Sequence, residues 1–105
     1  MAAIRGKVDP ILIVIANALT AYEKAHPKAD IVIFRQNSVS ARVRIVDPEL
    51  GGISKADRHD LVWEYLSILP DEIQNEVSVL LLLAPEETAV SFANFEFEHP
   101  IPSNF

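Results

Sequence analysis

Apolar residues recur along this chain with two different periods, and the change of period marks where helix gives way to strand. Between residues 11 and 22, Ile11, Val14, Ile15, Ala18, Leu19 and Tyr22 gather on one face at helical spacing. Asp9 before Pro10 marks the start of that helix. The carboxylate accepts from the free amides of the first turn, and proline at the first helical position loses no bond. The pattern predicts one helix to about Ala25, where His26 and Pro27 stop it. Two strand-like segments follow, ADIVIFRQ and SVSARVRIV, parted by a short polar turn around Asn37 and Ser38, which predicts a hairpin. In the second segment Val39, Ala41, Val43 and Ile45 share one face, and Ser40, Arg42 and Arg44 the other.

A turn-rich DPELGG loop leads to Ser54, which with Asp57 resembles a capping box opening a second helix. Leu61, Val62, Tyr65, Leu66 and Leu69 form its buried stripe, and Pro70 ends it and starts a short helical turn. The last strand, VSVLLLLA, is apolar on both faces, which predicts a central strand or one covered on both sides. The order helix, strand, strand, helix, helical turn, strand reads as α+β, with a three-stranded mixed sheet and helices on one face. Residues 1–88 read as this domain, and residues 89–105 as an aromatic, acidic tail that packs on the sheet or on a partner. Phe92, Phe95, Phe97 and Phe105 concentrate in the tail, and NFEFEH alternates as a short strand would, bounded by Pro100 and Pro102.

Composition narrows the function classes. A chain of 105 residues with half of them apolar has material for one self-sufficient core. There is no cysteine, which removes disulfides and thiolate metal sites and fits a reducing cytoplasm. Asn17 and Thr20 interrupt the first apolar run, so it reads as a domain helix rather than a signal segment, and no stretch is long enough to span a membrane. Charge is divided unevenly. All nine Lys and Arg lie in residues 1–58 with six acidic residues, whereas residues 59–105 hold nine acidic residues and no Lys or Arg. Such a division marks a partner surface or an acidic segment that folds against a basic one.

Candidate chemistry is sparse. His26, His59 and His99 are too few and too scattered to suggest a metal-ligand motif, and His26 has a plain role at a helix C-terminus. No nucleophile elbow, phosphate loop, dinucleotide fingerprint or metalloprotease motif occurs. The acidic pairs Asp71 with Glu72 and Glu86 with Glu87 sit at helix starts, where the helix dipole accounts for them. No catalytic, cofactor-binding or metal residue is therefore assigned, and the chain reads as no enzyme. Arg35, Arg42 and Arg44 form the one basic cluster on the hairpin. A nucleic-acid surface built on them would need exposed aromatic stacking partners, and the strands offer only Phe34.

The run SARVRIVDPELGGISKADRHDLVWEYLSIL, followed by NEVSVLLLLAPEE, resembles the BolA-like domain over residues 39–87. Arg58 and His59 match the Arg-His pair that opens the family's helix, and Trp63 and Leu66 match the aromatic and aliphatic positions after it. The resemblance implies an α-β-β-α-α-β fold of the KH-like kind. It also implies partnership with monothiol glutaredoxins through a shared [2Fe–2S] cluster, held by a histidine at the start of the last strand and a His or Cys in the hairpin loop. Ser78 stands at the first of these positions, and the QNS turn offers neither ligand type at the second. Hydroxyl and amide groups replace imidazole or thiolate poorly at iron, so no cofactor is expected.

The leading expectation is a cytoplasmic, non-enzymatic interaction module whose open sheet face, including Arg42, Arg44, Leu80 and Leu82, is covered by Phe92, Phe95 and Phe97 of its own tail or of a second copy. Two alternatives are a KH-like nucleic-acid binder using the hairpin arginines, and a glutaredoxin-partnered adaptor with a nonstandard ligand set that includes His59.

Overall fold

The structure, a computed structural model, describes residues 2–100; Met1, Pro102 and Phe105 lie outside the described residues. Four strands form one sheet in the order β1-β2-β3-β4: Ala3–Ile4, Asp30–Asn37, Ser40–Val46 and Val77–Leu83. The expected three-stranded sheet thus gains a fourth strand. Ala3 and Ile4 of β1 pair in parallel with Val32 and Ile33 of β2. A strand of two residues is too short to show any alternation in sequence. β2 and β3 form the antiparallel hairpin, and β3 pairs in parallel with β4.

The first helix comes in two pieces, α1 (Pro10–Ala18) and α2 (Thr20–Ala25). Asp9 caps α1, accepting from the amides of Ile11 and Leu12 at 2.9 and 3.1 Å. The break falls at Leu19, where the Thr20 hydroxyl donates back to the Ala16 carbonyl; such back-bonding bends helices. Ser54 caps α3 (Lys55–Leu66) by accepting from the Asp57 amide, and α4 is the short turn Asp71–Gln74. These helices pack on the sheet face formed by Ile31, Ile33, Ala41, Val43 and Ile45, all 2% exposed or less. Leu12, Ile15, Leu19, Tyr22, Val62 and Leu66 meet them with no exposed surface.

On its other face the sheet carries α5 (Phe92–Glu98), a helix where the Phe/Glu alternation had suggested a strand. Ser91 caps it by accepting from the Asn94 amide, and helical spacing then turns Asn94 and Phe97 inward while Phe92 and Phe95 point outward. The period-two pattern at residues 95–98 is incidental. Its end does coincide with the proline: His99 is the C-cap, immediately before Pro100.

β4 lies at the edge of the sheet, not at its centre. Its apolar composition reflects cover on both faces, which an edge strand can have as readily as a central one. Between Ala41 and Arg42 the pairing shifts from Val77 to Val79, leaving Ser78 in a bulge. The bulge resets which side chains share a face.

Candidate functional site

Beneath α5 the sheet presents Phe34, Arg42 and Arg44. Arg42 pairs with Glu96 at 3.1 Å, and Arg44 donates to Asn94 and to Glu98. Phe97 packs edge-on against Phe34, 4.9 Å between ring centroids. Arg5, which the sequence does not single out, completes the contact. Its guanidinium lies 4.3 Å from the Phe34 ring centroid and donates to the Phe97 carbonyl at 2.6 Å. The acidic second half of the chain thus folds onto the basic first half. The arginine beside Glu98 holds that carboxyl below its ordinary range.

Arg35 does not share this face. Its ladder partner is Ala41, which points to the helices, and Arg35 pairs there with Asp9 at 2.6 Å and Glu76 at 3.0 Å. Leu80 and Leu82 also face the helix side, because they stand opposite Val43 and Ile45. Val79 and Leu81, opposite Arg42 and Arg44, take their place under α5. The expected grouping of Leu80 and Leu82 with the arginines therefore does not form, and the Ser78 bulge is the reason.

Arg58 is buried, 4% exposed, and joins three segments. It makes a two-bond fork with Glu87 at 2.6 and 3.0 Å, and donates to the carbonyls of Ile53 and Leu82. That fork, with a further bond from the Ala84 amide, lowers Glu87 from an ordinary 4.5 to about 2. Its contribution to stability is therefore complete above pH 4.5 and disappears as the pH falls through about 2. In urea titrations Glu87→Gln should be less stable than wild type at neutral pH, and the gap should close on acidification toward pH 2. A gap that stays constant down to that pH would contradict the assignment.

His59 lies one position along but points outward, 54% exposed, and stacks on Trp63 at 5.5 Å. It borders a cleft of about 200 Å³ with Lys55, Leu80, Leu82, Ser91 and Ala93, along the edge of β4. Among the described residues no strand pairs with that edge. Beyond Ser91 the apolar surface continues, with Val90 84%, Phe92 82% and Phe95 61% exposed. Val90 and Phe92 thus stand exposed beside the end of β4, sharing a cleft with Leu83.

Comparison with solved structures supplies the fold type of this architecture. BolA1 from Arabidopsis thaliana superposes with a TM-score of 0.51, covering 76% of this chain and 98% of its own, at 20% identity. The chain has a BolA-like fold. No family model and no curated protein matches it in sequence, so the likeness is one of architecture. On this BolA-like body Arg42 and Arg44 turn to Glu96 and Glu98 of α5. Ser78 sits in the bulge of the BolA-like β4, and its hydroxyl donates to the Ala41 carbonyl at 3.3 Å, back toward its own sheet. At the hairpin turn the Asn37 side chain accepts from the Val39 amide. No helix of the described residues is long and apolar enough to cross a membrane.

Proposed function

We propose that this BolA-like chain is a non-enzymatic interaction module, and that its partner is a protein received along the edge of β4 between α3 and α5. The observation that carries this reading is the outer edge of the uncharged seven-residue β4, with which no strand among the described residues pairs, beside the exposed Val90 and Phe92. An edge strand offers a partner main-chain hydrogen bonds, here ahead of Leu82, whose carbonyl Arg58 already takes, and neighbouring apolar side chains give selectivity. A second copy of the chain is one such partner, and would join two sheets across their edges.

The hairpin arginines support this reading over nucleic-acid binding. Each of them is already paired with a carboxylate of its own chain, on opposite faces of the sheet. Phosphates would have to displace those carboxylates. A shared iron–sulfur cluster is likewise disfavoured, since Ser78 bonds to its own sheet and His59 is the one imidazole at the cleft.

The test uses Phe92→Ser with Phe95→Ser in the full chain, compared with wild type by affinity capture at low salt and by sedimentation for self-association. Both residues are solvent-facing, so folding should be unchanged. Loss of a specific protein, or of a dimer, in the variant supports the proposal. Nucleic acid held equally by both forms and released by salt would overturn it.

A further inference from the structure

Where β3 ends beside the last residue of β4, the end of α2 meets the loop that leaves β3, and the Asp47 amide donates to the Leu83 carbonyl at 2.9 Å. His26 is the C-cap of α2; Asp47 and Glu49 flank Pro48 at the start of a 3-10 turn, Pro48–Leu50. The His26 Nδ1 atom stands 3.0 Å from Asp47 Oδ2 and 3.0 Å from Glu49 Oε2. All three donor atoms lie within 4.8 Å of one another. Despite these distances, Nδ1 is buried and meets hydrogen-bond geometry with neither oxygen. Both oxygens stand off the direction in which the nitrogen would donate.

We propose that His26, Asp47 and Glu49 form a binding site for a divalent transition-metal ion. Imidazole nitrogen with two carboxylate oxygens is a donor set suited to zinc and its neighbours. Bonds of about 2.0–2.1 Å from one ion to three such donors place neighbouring donors about 3.0–3.4 Å apart. The two distances from Nδ1, 3.0 Å each, fall at the short end of that range, and the two carboxylate oxygens lie within 4.8 Å of each other. Donors that converge on a shared ion also stand off one another's hydrogen-bond axes, as they do here.

The surrounding residues hold this arrangement in place. The Tyr22 ring stacks on His26 at 4.2 Å and nearly parallel, fixing the imidazole plane. Its hydroxyl donates to Asp47 Oδ2 at 2.6 Å, leaving that oxygen a second lone pair. Asp47 Oδ1 accepts from the Glu49 amide at 3.0 Å, so the carboxylate cannot rotate freely. A hydroxyl behind a ligating carboxylate and a ring behind a ligating imidazole are the kind of outer support that metal ligands require. Asp47 is fully buried, whereas the Glu49 side chain is 56% exposed and leaves the ion a route from solvent. The remaining coordination positions would be taken by water, so binding should be exchangeable.

Zinc chloride titrated calorimetrically into the full chain should show one saturable site and raise the thermal midpoint. Cobalt(II) used as a probe should give visible d–d absorption that zinc abolishes. His26→Gln and Glu49→Gln should each weaken binding at least tenfold, while a His59→Gln/His99→Gln variant binds as wild type does. Glu49→Gln alters a half-exposed side chain, so it remains informative if His26→Gln folds poorly. Absence of saturable binding, wild-type affinity in Glu49→Gln, or loss of binding in the His59/His99 variant would overturn the proposal.

Discussion

Replacing Phe97 with alanine should lower the unfolding free energy by about 3–5 kcal/mol and free α5 from the sheet. Phe97 is 1% exposed and sits against Phe34, with the guanidinium groups of Arg5 and Arg44 each 4.9 Å from its ring centroid. Truncation would empty a site closed by rigid strands on one side and paired arginines on the other, so collapse can recover little. The lower end of the range is the better expectation. Arg42 Nε and Arg44 Nε are buried without hydrogen-bond partners under α5, and its release would return them to water.

A seven-residue helix has no stability of its own in water, so α5 depends on this packing. Limited proteolysis should therefore cut the Phe97→Ala variant within residues 88–100 well before wild type. Phe95→Ala supplies the comparison, since its side chain is solvent-facing and should change stability by no more than about 0.5 kcal/mol. Equal effects from the two substitutions would mean that α5 is not held as described.

The second large effect is expected at Arg58. Arg58→Met should cost about 2–4 kcal/mol, read from urea denaturation at neutral pH. Breaking a buried ion pair is costly chiefly because it strands the remaining partner. Here Glu87 is 36% exposed and can hydrate, which moderates the cost. The buried Leu82 carbonyl has no such recourse at the Arg58 position and loses its donor. Arg58→Lys distinguishes charge from geometry. An ammonium can keep an ion pair with Glu87 but cannot reproduce the two-bond fork and reach both carbonyls, so lysine should recover less than half of the loss. Full recovery would show that charge alone matters.

The helices and the hairpin were legible because each carries a local signal. Asp9 with Pro10, Ser54 before Asp57, and the alternation from Ala41 to Ile45 act within a few residues of where they stand. The candidate surface was less so. A bulge of a single residue at Ser78 exchanges the faces of Leu80 and Leu81, and nothing in VSVLLLLA distinguishes the two registers. In sequence Arg35 groups with Arg42 and Arg44 because all three lie on one hairpin. The cross-strand register separates them by pairing Arg35 with Ala41.

By itself the sequence determined an α+β BolA-like architecture, its helix starts and its hairpin, since capping, proline placement and hydrophobic period are properties of neighbouring residues. Tertiary structure decided everything that joins distant ones. It placed β4 at an edge, turned the Phe/Glu tail into a helix by offering Phe97 a buried seat, and brought Tyr22 within hydrogen-bond reach of Asp47, 25 positions away. The physical reason is the same in each case. Burial and pairing between residues far apart in the chain depend on the packing of whole elements, which no local pattern encodes.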